Sequence, residues 1–449
     1  MDTPVYDFVQ AYRASGTVRL HMPGHKGKSF LGCEDADITE IEGADALYEA
    51  EGIIAQSEAN AARLFGAACT LYSTEGSSQC IRAMVYLAVT GVGRASEKAG
   101  SRPYILAARN AHKAFLYALA LCDADVRWLW PEAEGSLCSC PISAAQVEAA
   151  LSSADALPAA VYITSPDYLG FENPIAEIAA VCHRYNIPLL VDNAHGAYLH
   201  FLPQRCHPLD LGADMCCDSA HKTLPVLTGG AYLHIASCAP ECMRARAKEA
   251  LELFGSTSPS YLTLASLDLC NGYLAQDYRE HLARTIEAVG ETKRRLVDNG
   301  WTLLPGEPLK IVLRATAAES GMALAARLRG AGIECEYADV DFLVLMPSAE
   351  TRECELSTLV LALGVNTAPL AAPAPMPQPG AERVMSVREA VFAPQETVRA
   401  EDSIGRVCAA PTVGCPPAVP IAITGERVDE NAAALLRRYG IERVAVVRE

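Results

Sequence analysis

Between residues 36 and 255 the chain alternates short apolar runs with helical stretches, and this alternation limits it to one class of fold. Runs such as Ala159 to Thr164 and Leu189 to Asp192 are apolar without a polar alternate face. That is the pattern of strands buried on both sides. Such strands separated by helices predict an α/β architecture, a mainly parallel sheet with helices on both faces. Ligands of open α/β sheets bind beyond the carboxyl ends of the strands. The residues that follow each apolar run are therefore where chemistry is expected.

Four such segments form an ordered set. Tyr72 to Ile81 places small and hydroxyl residues (Gly76, Ser77, Ser78) at the start of an apolar helix, where free N–H groups and the helix dipole favour an anion. Its spacing is not that of an ATP-binding P-loop. In Tyr104 to Lys113 a strand ends and His112 follows, a ring able to stack on a flat ligand. In Ile187 to Gly196 a buried strand runs into Asp192. In Asp218 to Pro225 a lysine, Lys222, stands behind Ser219 and His221 and ahead of a Gly229-Gly230 turn. Taken singly, each has a plainer reading: a serine N-cap, a structural histidine, a turn aspartate, a solvated lysine. Together they offer a phosphate cradle, a stacking ring, a carboxylate for a pyridine nitrogen and an amine for an aldehyde. These are the needs of pyridoxal phosphate (PLP), whose protonated ring accepts the electrons released at Cα. Their order is that of the fold-type-I PLP enzymes, the aspartate-aminotransferase-like group.

The resemblance narrows further. Leu20-His21-Met22-Pro23-Gly24-His25-Lys26-Gly27 resembles a signature of the Orn/Lys/Arg decarboxylase family. So do Asp37 to Asp45 followed by Glu51 to Ile54, Ser219 to Thr228, Ser256 to Tyr261 ending in Ala265 to Asp268, and Ser386 to Ala393. Pro416 to Pro420 with Gly425-Glu426 resembles the family's closing motif. The likeness spans nearly the whole chain and implies the short form, without the N-terminal wing of the long enzymes. It implies decarboxylation of arginine, lysine or ornithine to agmatine, cadaverine or putrescine, within polyamine biosynthesis. By position, it implies Lys222 as the Schiff-base lysine, Asp192 as the partner of the pyridine nitrogen and His112 as the stacking ring. Gly76, Ser77, Ser78, Ser219 and His221 would hold the phosphate, Ala194 would leave room beneath the ring, and Lys222 or His221 would return the proton to Cα. Ser258 and Ser260, in a segment reaching toward a neighbouring subunit's cofactor, and Arg388 would contact substrate. A bidentate guanidinium suits a carboxylate; an ion pair of Arg388 with Glu389 or Glu396 is the competing reading. A homodimer or larger homo-oligomer follows from a shared site. Other reactions on the same fold, transamination or elimination, and a non-catalytic PLP-binding homologue are the alternatives.

The chain departs from the family pattern at several points. Asn193 stands where the family has Glu, and Tyr198 at the position of a second ring. Pro166-Asp167-Tyr168 replaces Pro-Thr-Tyr, Glu75 puts a negative charge beside the cradle, and Gly229-Gly230 replaces a Gln.

Composition sets the outer bounds. Half of the 449 residues are apolar, which excludes a disordered chain. A formal charge of -17 argues against a nucleic-acid surface or an anionic membrane and favours approach of a cationic amino acid. The 17 cysteines are scattered through apolar runs, as in a reducing cytosol. No signal peptide is read at Met1 to Gln10, and a cytoplasmic location is expected. Cys138, Cys140 and Cys335 lack His partners at metal-ligand spacing, so no metal is expected. No apolar run is long enough to span a membrane.

The expected organisation is an N-terminal arm (1–35) with one short helix, then a large PLP-binding domain (36–270). A linking, charged helical segment from Asn271 to Asn299 and a small domain follow (together 271–366), the latter mixing strands and helices over Leu309 to Arg314, Met322 to Arg329 and Phe342 to Met346. A Pro/Ala-rich linker (Thr367 to Gly380) precedes a C-terminal unit (381–449).

Overall fold

The continuous apolar runs form strands in the computed structural model, which describes residues 1–91, 102–131, 136–371, 379–411 and 419–449. Residues 372–378 of the expected linker and 416–418 of the closing motif lie outside the described residues. In chain order the first strands are β1 (Cys69–Ser73), β2 (Tyr104–Ala108), β3 (Asp125–Leu129), β4 (Ala160–Thr164), β5 (Leu189–Asp192), β6 (Met215–Asp218) and β7 (Ala231–Ile235). Further on come β8 (Ile311–Arg314), β9 (Tyr337–Ala338), β10 (Phe342–Leu345), β11 (Gln395–Arg399) and β12 (Arg443–Val447). The chain divides into two compact units. The first comprises Met1–Ser101, Leu151–Ser165 and Ile175–His281, and the second Arg102–Ala150, Pro166–Pro174 and Leu282–Glu449.

In the first unit the strand order is β1-β7-β6-β5-β4. β4, β5 and β6 are parallel, and β7 runs antiparallel to both β6 and β1. β1 therefore points the same way as β4 to β6. Every residue of β4, β5, β6 and β7 is buried, as expected for strands covered on both faces. Register aligns the strand ends: Thr164 pairs with Asp192, Asp192 with Cys217, Asp218 with Tyr232, and Ala231 with Ser73. One sheet edge thus gathers the residues that follow β1, β5 and β6 and those that precede β7.

Local chemistry delivers β5 to that edge. The helix Ile175–Arg184 ends where Asn186 takes a left-handed φ of 55° and Ile187 N returns to Cys182 O at 3.0 Å. Pro188 then forbids continuation of the helix. The helix Ser77–Gly91 packs on β6 and β7, which fixes its N-terminus at the same edge. In the arm, the helix Pro4–Ala14 lies against Ile53–Phe65 and Tyr261–Leu274. Its first N–H groups, Val5 and Tyr6, donate to Asp268 at 2.8 and 2.9 Å.

The second unit holds the parallel pair β2–β3, the antiparallel sheet β8-β10-β9 and the antiparallel pair β11–β12. The helix Gly321–Gly330 starts where Ser320 Oγ accepts from Ala323 N at 3.2 Å. The charged helical segment read from Asn271 to Asn299 comprises the end of the helix Tyr261–Leu274 and the whole of the helix Tyr278–Asp298. Asp277, whose carbonyl accepts from Glu280 N and His281 N, opens the second as an N-cap residue. No helix among the described residues is long and apolar enough to cross a membrane.

Candidate active site

Lys222 lies on a one-turn helix, Ala220–Thr223, directly beyond the end of β6. Lys222 N donates to Ser219 O (2.9 Å) and His221 N to Gly230 O (3.2 Å), which ties the turn to the start of β7. The Lys222 Nζ is 3.1 Å from His195 Nε2. His195 is buried, three residues past the end of β5. The following loop approaches the β1 turn so closely that Gly76 N donates to Gly229 O at 2.7 Å. Gly229 adopts φ +96°, and a Cβ there would stand 2.6 Å from Thr74 O. Only glycine fits both demands.

The hydroxyls gather beside it. Ser219 Oγ donates to Ser77 Oγ at 2.7 Å, and both side chains are buried. Ser77 and Ser78 open the helix Ser77–Gly91, so its unpaired N–H groups face the same place. Gly76, at φ +74°, has His221 Cε1 as its nearest neighbour, 3.9 Å from where a Cβ would lie. His221 Nδ1 is 3.0 Å from Gly230 O. A carbonyl only accepts, so Nδ1 carries the proton and Nε2 is left for a ligand. Burial pulls the His221 pKa below its ordinary value; the Gly230 carbonyl opposes this and the Lys222 charge adds to it.

Asp192 ends β5 and is buried. Its Oδ2 accepts from Tyr162 OH (3.1 Å), and its Oδ1 from Ala194 N (3.2 Å) and the Cys217 thiol (3.7 Å). One edge of the first unit therefore carries an amine, a fixed carboxylate, two hydroxyls, two imidazoles and a helix N-terminus. This donor set suits a phosphorylated aldehyde with a ring nitrogen.

The sequence family gives the reaction class of the chain. Residues 3–350 match the family model described as Orn/Lys/Arg decarboxylase, major domain. The chain belongs to the Orn/Lys/Arg decarboxylase family. That makes it a decarboxylase, a carbon–carbon lyase. It is 30% identical to an arginine decarboxylase of Halalkalibacterium halodurans, over 97% of this chain and 93% of that one. Its fold is similar to that of the constitutive lysine decarboxylase of Escherichia coli, with a TM-score of 0.78 at 19% identity over 100% of this chain and 82% of that chain. A more distant likeness is to a serine palmitoyltransferase solved with PLP, with a TM-score of 0.53 at 14% identity over 68% of this chain and 74% of that chain. The α/β fold-type-I architecture is thereby shown.

Within this decarboxylase fold, Lys222, His221, Ser219, Gly76, Ser77, Asp192 and Ala194 share the edge described above. Ser258 and Ser260 belong to a loop tied to it: Glu75 Oε1 accepts from Ser256 N at 2.5 Å, and Ser258 N donates to Ser256 Oγ at 3.1 Å. The carboxylate of Glu75 is thus engaged with this loop. Ser260 Oγ accepts from Thr263 N (3.3 Å) and caps the helix Tyr261–Leu274. His112 and Arg388 belong to the second unit. His112 is the N-cap of the helix Lys113–Cys122, its Nδ1 accepting from Ala114 N at 3.2 Å. Arg388 donates to Ala120 O at 2.7 Å and lies over the Phe392 ring, with its guanidinium carbon 5.0 Å from the centroid.

The other departures also find partners. Asp167 is buried, accepting from Leu169 N (3.0 Å), Phe171 N (2.9 Å) and Ser139 Oγ; burial raises its pKa. Tyr198 is wholly buried on a short 3-10 helix, Ala197–Phe201. Glu426 of the closing motif accepts twice from Arg109, at 2.5 and 2.6 Å. Sequence reasoning did not assign His195, Tyr162 or Cys217. His195 had a signal, three positions beyond Asp192. Tyr162 and Cys217 became visible only through strand pairing.

Proposed function

We propose that this chain decarboxylates a basic amino acid, arginine before lysine or ornithine, with PLP held on Lys222. The observation that carries the reading is the Lys222 amine, 3.1 Å from an imidazole nitrogen, on the same sheet edge as Asp192 and the Ser77–Ser219 hydroxyl pair. The arginine decarboxylases of Halalkalibacterium halodurans and Bacillus subtilis, which align along more than nine-tenths of this chain, support arginine as the first substrate to test. The formal charge of -17 is consistent with a cationic substrate.

PLP, when bound, supplies an electron-accepting ring. The chain's residues supply the rest. Lys222 Nζ would hold the aldehyde. Asp192, fixed by Tyr162 and by Ala194 N, would keep a proton on the ring nitrogen. Gly76, Ser77, Ser78, Ser219 and His221 would anchor the phosphate. Ala194, with only a methyl side chain, would leave room for the ring. Cleavage at the carboxylate, rather than loss of the α-proton, would depend on contacts that orient the substrate's carboxylate. Ser258 and Ser260 are proposed for that task, and a substrate contact of Arg388 rests on the family resemblance alone. A proton must then return to Cα. Lys222 Nζ can deliver it, and His195 Nε2 is near enough to exchange protons with that amine. The stacking role of His112 rests on the family resemblance alone.

A homodimer fits the exposed N-terminal arm, where Val18, Leu20, Met22, Phe30 and Leu31 are 67–90% exposed. Apolar residues concentrated in one short stretch mark an interaction surface. The decisive assay is CO2 release from PLP-loaded protein given arginine, lysine and ornithine separately, with the amine identified. Release that depends on Lys222 supports the reading. A keto acid product, or turnover that survives Lys222→Ala, would refute it.

A further inference from the structure

Behind the lysine site lies a buried polar cluster that the mechanism above does not use. Asp218 ends β6 immediately before Ser219 and has no exposed surface. Its Oδ1 accepts from Asn193 Nδ2 at 2.6 Å. Its Oδ2 accepts from His207 Nε2 at 3.0 Å and from His234 Nε2 at 3.2 Å. Both imidazoles are fully buried. His207 Nδ1 accepts from Leu209 N (3.3 Å), so the His207 proton sits on Nε2 and points at the carboxylate. His234 Nδ1 is paired with Thr70 Oγ1 at 2.8 Å, leaving its Nε2 to donate as well. Burial alone would raise the pKa of Asp218, but His207 and His234 hold it well below the usual carboxylate range. One buried anion thus receives three N–H donors.

Asn193 is the part of this cluster that reaches the cofactor side. It directly follows Asp192. Its backbone N donates to Cys217 O at 3.0 Å and its side chain to Asp218, so both bonds fasten it to the end of β6. The amide orientation is forced, because only Nδ2 can face a carboxylate. In that orientation the buried Oδ1 meets no donor among the described residues. Packing alone would not favour an arrangement that leaves a buried acceptor unpaired. A Glu or Asp at 193 would set carboxylate against carboxylate.

We propose that Asp218 and Asn193 are a pair of positioning residues: the carboxylate, clamped by His207 and His234, fixes through the Asn193 amide the turn that aims Asp192, and through its own backbone sets Ser219. The inference rests on the reading of Asp192, Ser219 and Lys222 as a PLP site. It also gives a physical account of why the chain departs from its family at position 193.

Three variants test it. Asn193→Asp places two acceptors in contact. Asp218→Asn combined with Asn193→Asp reverses the bond: the new amide donates to the carboxylate at 193 while its oxygen still accepts from His207 and His234. The measurements are PLP affinity by equilibrium dialysis, the pH midpoint of the lysine–cofactor absorbance band, and melting of the cofactor-free protein. Asn193→Asp should weaken PLP binding by about tenfold or more, the scale of one charge-assisted hydrogen bond, and move the band's midpoint. The double variant should restore both. If Asn193→Asp does not fold, restoration of folding, affinity and midpoint by the double variant carries the same support. Wild-type affinity and midpoint in Asn193→Asp, or a double variant no better than the single, overturns the positioning role. Lys222→Ala, run alongside, separates the two claims. A band that disappears there while Asn193→Asp is unaffected overturns the positioning role alone. A band that survives Lys222→Ala overturns the PLP-site reading and this inference with it.

Discussion

The Arg109–Glu426 pair gives the sharpest stability prediction. Arg109 follows β2 and is fully buried; Glu426 belongs to the closing motif and is nearly so. The guanidinium is bonded through both Nη atoms to the two carboxylate oxygens at 2.5 and 2.6 Å, and its carbon lies 4.3 Å from the centroid of the Trp130 ring. Glu426 Oε2 also accepts from Ile423 N at 2.9 Å. Glu426→Gln keeps the shape but replaces one oxygen by an N–H group that faces an Arg109 N–H group. The buried cation then loses its counter-charge. Removing one partner of a buried pair costs about 3–5 kcal/mol, because the remaining charge is uncompensated. At about 2–4 °C per kcal/mol for a domain of 150–250 residues, the low end of that range predicts a drop of about 6–12 °C in melting temperature.

A double-mutant cycle decides whether the cause is the stranded charge. Arg109→Met and Glu426→Gln should each destabilise strongly, whereas the two together should cost clearly less than their sum. The assay is thermal denaturation followed by circular dichroism at fixed pH and salt. A shift under about 2 °C in Glu426→Gln, or strict additivity in the double variant, would refute the argument that this pair is an electrostatic clamp.

Three further outcomes are expected. Gly229→Ala should lower the melting temperature and weaken PLP binding, because φ +96° is strained for alanine and its Cβ would stand 2.6 Å from Thr74 O; unchanged values for both would remove the close-approach argument. His195→Phe should cut turnover by about 10²-fold or more while PLP is retained, if His195 exchanges protons with Lys222; an unaltered pH–rate profile would count against that role. Asp268 carries a pH signature: burial pushes its pKa up to about 6 from 3.8, against the lowering effect of Ser57, Tyr6 N and Val5 N. The folded protein then binds this proton more tightly than the unfolded chain, so its contribution to stability is fully present below about pH 4 and is lost as pH rises through about 6. Urea midpoints measured at pH 4.5 and 7 should show a smaller pH dependence in Asp268→Asn than in the wild type, and an equal dependence would exclude the linkage.

Much of the fold was legible because burial writes itself into composition. β4 and β5 are continuous apolar runs, and their ends at Thr164 and Asp192 were readable to the residue. The helical character of Asn271 to Asn299 was readable, but the break within it was not, because polar composition hides a helix start: Asp277 looks like any charged residue of a solvated helix until its carbonyl is seen accepting the first bonds of the next one. In the site, Lys222, Ser219, Ser77 and Asp192 each follow or open an element that the sequence pattern predicts. His195 differs, because its proximity to Lys222 depends on β5 and β6 being neighbours, and strand order is not encoded locally.

The two substitutions that most disturbed the family pattern show what kind of information a single sequence withholds. Glu75 and Asn193 read as misplaced charge and missing charge because each was weighed against the ligand expected nearby. In the structure neither has an anonymous environment: Glu75 accepts the backbone N–H of Ser256, and Asn193 donates to Asp218. A backbone donor engages the carboxylate beside the proposed phosphate cradle. An amide suits the position where the next strand already ends in a carboxylate. The partners are 181 and 25 residues away in sequence. Motif matching scores positions one at a time, whereas hydrogen bonding constrains them in pairs. The residues at which a chain leaves its family pattern are therefore where a three-dimensional account adds most, and Asn193 with Asp218 is the pair on which that account can be tested by reversal.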